Sequence, residues 1–159
     1  MVSAAILVDN MYVQNAAQYY KLGKIDPRKY PEILLKEGES HFKTYIFDAY
    51  PYVNAEAPTQ RQIELREHKK SYLEAIQYYD RIVVELGVVR PKPARCPNCG
   101  NHYIVPVQKA VDVKMAVRLT SLAWSETVEV IVLVSGDGDL VPAVEDVERT
   151  AAIVRLGYF

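Results

Sequence analysis

Thr127-Val128-Glu129-Val130-Ile131-Val132-Leu133-Val134 runs directly into Ser135-Gly136-Asp137-Gly138-Asp139. The first part is almost continuously apolar and β-branched. That is the pattern of a strand covered on both faces, as in a parallel sheet between helices. The second part places two acids just past the strand's carboxyl end. Sites of open α/β sheets form there. Pro142 follows, early in a further helix, where its missing N–H does little harm. Ala151 to Leu156 reads as a last strand. Before the strand, Ala110 to Ser125 reads as a well-buried helix ending near a core Trp124.

The same alternation extends to the N-terminus. Ala4 to Val8 is a short apolar strand closed by Asp9-Asn10, and Met11 to Leu22 is helical. A helix is expected around Pro31 to Lys36, and an aromatic-rich strand over Phe42 to Asp48. Tyr50 to Pro58 is a loop. Thr59 to Tyr79 is a long helix with Leu65, Tyr72, Ile76 and Tyr79 near one face. Arg81 to Arg90 is a third strand. Strands alternating with helices predict an α/β domain: a mainly parallel sheet of about five strands with helices on both faces. One domain is expected over residues 1–159, with a cysteine-bearing insertion at about 91–106.

Composition agrees with this reading. The chain has 159 residues, half of them hydrophobic and a quarter charged, with a formal net charge of -1. That excludes a disordered or collagen-like chain and a disulfide scaffold. It also argues against a strongly basic nucleic-acid coat. No apolar run approaches the roughly 20 residues that span a bilayer. The N-terminal residues show no basic, apolar leader pattern, so a cytoplasmic protein without a membrane partner is expected. The only two cysteines, Cys96 and Cys99, suit a reducing compartment.

The acids concentrate at one predicted edge. Asp9 ends the first strand, and Asp137 and Asp139 follow the Val134 strand. Asp112 opens a helix whose positions Met115, Ala116 and Leu119 form an apolar stripe, which turns its carboxylate inward. Lys114 and Arg118 make the opposite, polar face. Four converging carboxylates repel one another, and a divalent cation relieves that repulsion. Oxygen-only ligands favour Mg²⁺ or Mn²⁺, which can activate water and stabilise charge on a phosphodiester. Each acid also has an ordinary reading. Asp9-Asn10 suits a turn, Asp112 a helix start, and Asp137 the cap of a strand-to-helix loop.

Two segments carry a family resemblance. Lys109-Ala110-Val111-Asp112-Val113-Lys114-Met115-Ala116 and Val132-Leu133-Val134-Ser135-Gly136-Asp137-Gly138-Asp139-Leu140-Val141-Pro142 resemble the NYN domain of LabA-like proteins, part of the PIN-like nucleases. The resemblance implies a three-layer, PIN-like (Rossmann-like) fold and a metal-dependent ribonuclease. It maps the catalytic, metal-holding positions onto Asp9, Asp112, Asp137 and Asp139. Ser135 would support the loop or a metal-bound water, and Asn10, Tyr12, Lys109, Lys114 and Ser135 are the candidate substrate-binding residues. Tyr12 stands where many members carry Asn, Ala110 where Gly is common, and Leu140 where Phe is common. The last two read as packing changes. Dimers are frequent among PIN-like relatives, so a homodimer is a further expectation.

Cys96-Pro97-Asn98-Cys99-Gly100 resembles half of a zinc ribbon. A structural Zn²⁺ needs four ligands. His102 is a third candidate, and the fourth would be His41, His68, an acid or a group from a second subunit. From Leu86 to Val111 there is no acid, while Arg90, Lys92, Arg95 and Lys109 are present. With Tyr103 and His102 interleaved, this stretch reads either as a solvated loop or as a surface for an RNA backbone and a stacked base.

The expected function is therefore RNA phosphodiester hydrolysis at an Mg²⁺ or Mn²⁺ site. The alternative is an RNA- or protein-binding module of the same fold with little cleavage. A phosphatase with a nucleophilic aspartate is disfavoured, because Asp9-Asn10-Met11 lacks the second acid of an Asp-x-Asp.

Overall fold

The computed structural model describes residues 1–158. Phe159, the last residue of the expected domain, lies outside the described residues. Five parallel strands form the main sheet: β1 (Val2–Asp9), β2 (Glu39–Asp48), β3 (Ile82–Leu86), β6 (Val130–Val134) and β7 (Ile153–Gly157). Their spatial order is β3-β2-β1-β6-β7. The predicted α/β sheet of five parallel strands is present. Between β3 and β6 lies a separate antiparallel hairpin, β4 (Val88–Arg95) and β5 (His102–Lys109).

Helices cover both faces, as strands without a polar side require. On one face lie α1 (Asn10–Tyr19), α2 (Tyr30–Leu34) and α3 (Gln60–Gln77). There Ile6, Val8, Ile46, Val132 and Val134 pack with Leu73 and Ile76. On the other face lie α4 (Val111–Trp124) and α5 (Val141–Val147). There Leu7, Phe47 and Leu133 pack with Met115, Leu119 and Val147. All five residues of β6 are buried, though β1, not β6, is the middle strand. Leu140 is buried in the second core and acts as a packing residue.

Chain direction across the sheet reverses between β1 and β6. The strands β2 and β3 follow β1 on one side, while β6 and β7 extend the other. This is the topological switch point, at whose carboxyl end open α/β sheets commonly place their sites. Val8 pairs with Val134, so Asp9 and the Ser135–Asp139 loop leave the sheet at the same level.

Four expectations need correction. The third strand does not continue to Arg90. It ends at Leu86, and Gly87 turns the chain into β4. A Cβ on Gly87 would sit 2.4 Å from Val111 Cγ2, so the start of α4 approaches this turn too closely for another residue. The inward face of α3 is made by Leu73 and Ile76, with Leu65 exposed. Trp124 is not core. It is 57% exposed, and its Nε1 donates to Asp146 Oδ2 at 2.8 Å. Ala110 is more than a packing change, because it caps α4 at φ 67°, a left-handed conformation that favours glycine.

Candidate active site

Asp9 ends β1 and caps α1, its Oδ1 accepting the Tyr12 N–H at 3.1 Å. An Asp at this position satisfies an otherwise orphaned helix donor. The cap also fixes the direction of the carboxylate. Across the switch point, Ser135 is buried and its Oγ accepts the Asp137 N–H at 3.1 Å. Asp137 in turn accepts the Asp139 N–H at 2.9 Å, which starts a short 3-10 turn over Gly138–Leu140. Asp139 is left exposed at the outer end of this loop.

Tyr12 connects the two loops. A Cβ on Gly136 would lie 2.7 Å from Tyr12 Cε2, so the ring rests on the bare Gly136 backbone. Asp112 sits in the first turn of α4, half-buried. Its inward stripe is as expected for Met115 and Leu119, which are fully buried.

Two of the four acids are displaced from the ordinary carboxylate range. Burial pushes the Asp9 carboxyl above its ordinary range. The Tyr12 and Met11 N–H groups oppose that shift, and the charges of Asp112 and Asp48 add to it. Burial also pushes Asp112 up, and Asp137 and Asp139 push it further. Asp112 thus feels Asp137 and Asp139, and its own charge acts on Asp9. Among the described residues, however, no three Asp, Glu, His or Cys side chains are gathered closely enough to hold an ion as they stand.

The structure adds an acid that sequence reading passed over. Asp48 ends β2, one step from Asp9 across the sheet, and is 1% exposed. Its Oδ2 meets Lys69 Nζ at 2.7 Å and accepts from Asn10 Nδ2. Its Oδ1 accepts the Ala49 N–H at 2.7 Å. Lys69 Nζ also donates to Gln14 Oε1 at 2.8 Å. Asn10 is therefore a buried structural partner of Asp48. The rule that flagged Asp9 and Asp137, acids at carboxyl ends of strands, flags Asp48 equally. Its lysine partner on α3 has no sequence signal. Asn10, Lys69, Val13, Tyr30, Leu65 and Tyr72 line a cavity of about 510 Å³ between α1 and α3, beside this network.

The expected cations at the edge are already engaged. Lys114 Nζ donates to the Leu86 carbonyl at 2.7 Å. Arg118 Nε pairs with Glu85 Oε1 at 2.7 Å and its guanidinium stacks over Tyr45. The polar face of α4 thus docks against β3. Lys109 is exposed at the end of β5, next to Ala110.

At the hairpin tip, Cys96 and Cys99 are free thiols. The Cys99 and Asn98 N–H groups and the Cys99 side chain hold the Cys96 thiol below its ordinary range. His102, His41 and His68 form no three-ligand group with them among the described residues.

No helix among the described residues is long and apolar enough to cross a membrane. The chain is similar in fold to a protein of unknown function, VPA0982 from Vibrio parahaemolyticus. The TM-score is 0.54 at 21% identity, over 99% of this chain and 81% of that one. No curated protein sequence matches this chain. The NYN domain model matches residues 3–157, which include β1, the α4 start and the β6 loop that build the acidic edge. With that match over nearly its whole length, the chain belongs to the NYN-domain family of the PIN-like nuclease superfamily.

Proposed function

We propose that this chain is a divalent-cation-dependent ribonuclease. One observation carries the reading. Asp9 ends β1, Asp112 opens α4, and Asp137 and Asp139 follow β6; burial and neighbouring carboxylates push Asp9 and Asp112 up. A cation bound among these carboxylates would relieve their mutual repulsion.

The donor chemistry fits Mg²⁺ or Mn²⁺, with oxygen ligands only. Asp9, Asp112, Asp137 and Asp139 would hold the ion. When bound, it supplies water activation and stabilisation of charge on the phosphodiester. The chain's own residues fix the carboxylates. Asp9 is held by the α1 N-terminus, Asp137 by the Asp139 N–H, and the two loops by Tyr12 on Gly136. Asp48 is committed to Lys69 and serves to seat Asn10 rather than to hold an ion.

Labelled single-stranded and structured RNA incubated with Mn²⁺ tests the reading. Cleavage should be abolished by EDTA and by Asp112→Asn. Cleavage that survives both belongs to a contaminant and overturns it. The dispersed placement of the acids favours a second reading, an RNA-binding module. RNA retained without cleavage at saturating Mn²⁺ selects that one.

A further inference from the structure

The β4–β5 hairpin takes no part in the main sheet. Val89 near its base packs against the core, but most of its residues are exposed. A two-stranded hairpin alone is marginal in water. Its tip is nevertheless tightly built. Cys96 N–H donates to the Asn101 carbonyl at 2.8 Å, and Gly100 N–H to the Cys96 carbonyl at 2.9 Å. Gly100 adopts φ 74°, and Arg95 Nε donates to its carbonyl at 3.2 Å. Two thiols on a tight, hydrogen-bonded turn are the parts of a zinc knuckle.

We propose that this tip is half of a zinc site, and that Cys96 and Cys99 from two copies of the chain together hold one tetrahedral Zn²⁺. A closed structural site needs four ligands. This chain supplies two thiols and, among the described residues, gathers no third ligand beside them. A second copy supplies an identical pair, and two-fold symmetry makes the contact self-complementary.

Two further features fit that occupant. Pro91 pairs with Pro106 and Pro93 with Ile104, so these four residues share one face of the hairpin. All four are exposed. This gives an apolar surface running to the knuckle for a second hairpin to cover. Pro91 and Pro93 also lack N–H groups, which discourages simple strand addition along β4. Secondly, the hairpin is basic, with no acid from Leu86 to Val111. Two such hairpins repel. Four thiols that release their protons on binding Zn²⁺ create a complex of net charge -2, as thiolates must for this metal. The pairing of the hairpins is therefore metal-dependent.

Protein purified under reducing conditions, without chelator or metal resin, is examined by elemental analysis and native mass spectrometry. About 0.5 zinc per chain is expected, carried by a dimer with one ion. Replacing zinc by Co²⁺ should saturate at one ion per two chains, with the absorption of a tetrathiolate site. Cys96→Ser combined with Cys99→Ser should lose the metal while circular dichroism stays unchanged. His102→Ala should keep it. One zinc per monomeric chain, zinc retained by the double serine variant, a Co²⁺ spectrum that changes in His102→Ala, or no zinc at all would each overturn the proposal.

Discussion

Replacing Lys69 with Met removes the counter-charge of Asp48 while keeping most of the side chain's apolar stem. Asp48 is 1% exposed and Lys69 17%, with Nζ 2.7 Å from Oδ2. Stripping one partner from a fully buried pair costs about 3–5 kcal/mol, because the other charge stays behind. Here the cost is smaller. Lys69 reaches solvent, and Asn10 Nδ2 and Ala49 N–H continue to donate to the carboxylate. A loss of about 2–3 kcal/mol follows, since bonds to a charged group contribute about 1.5–3 kcal/mol each. For a domain of this size that lowers Tm by roughly 5–10 °C. Urea unfolding at pH 7, followed by circular dichroism, measures it. In an Asp48→Asn background no buried charge remains, so Lys69→Met should cost under about 1 kcal/mol. The coupling in this double-mutant cycle is expected at about 1.5–2 kcal/mol. Additive effects, or a single-variant cost below about 0.5 kcal/mol, would refute the idea that Lys69 neutralises Asp48.

Three other variants probe neighbouring features. Ala110→Gly should stabilise by about 0.5–1 kcal/mol. Relief of the φ 67° strain is about 1–2 kcal/mol, and the more flexible unfolded chain takes back about 0.4–1. Thermal unfolding checks this. Gly136→Ala should destabilise by about 1–3 kcal/mol through contact with Tyr12, and less in a Tyr12→Leu background, as urea titration of both would show. Arg155 holds the Glu39 carboxyl down to about 2, through a 2.8 Å pair. The folded value lies below the unfolded one, so this stabilisation is complete above the ordinary Glu range and disappears as pH falls from about 4.5 toward 2. The pair is near solvent, so the amount is about 1 kcal/mol. Arg155→Met should flatten that part of the acid limb in pH-dependent unfolding.

The elements most readable from sequence were those whose pattern has a single physical cause. The unbroken Val130–Val134 run is buried on both faces because helices cover both. Asp9, Asp137 and Asp139 were legible because strand ends are marked by a change from apolar to acidic residues. Asp48 carries the same mark and was passed over, since Phe42–Asp48 reads as alternating while its last five residues are all buried. Lys69 lies 21 positions from Asp48, and only the return of α3 across the sheet joins them. Trp124 misled because size and apolarity suggest burial, whereas its indole N–H finds Asp146 at the surface. Ala110 hides a backbone requirement that no side-chain pattern reveals.

On the proposed function, Asp9, Asp112, Asp137 and Asp139 form a cation-dependent cutting site. Its most direct measurement is the Mn²⁺ dependence of RNA cleavage by the wild-type chain and by Asp112→Asn, with EDTA as control. Asp137 and Asp139 act on Asp112, and Asp112 in turn acts on Asp9. The account predicts cleavage that rises with Mn²⁺ and falls at least about 100-fold in the variant, a loss of about 2.7 kcal/mol of transition-state stabilisation. Equal cleavage by the two proteins, or cleavage indifferent to Mn²⁺ and EDTA, would contradict it.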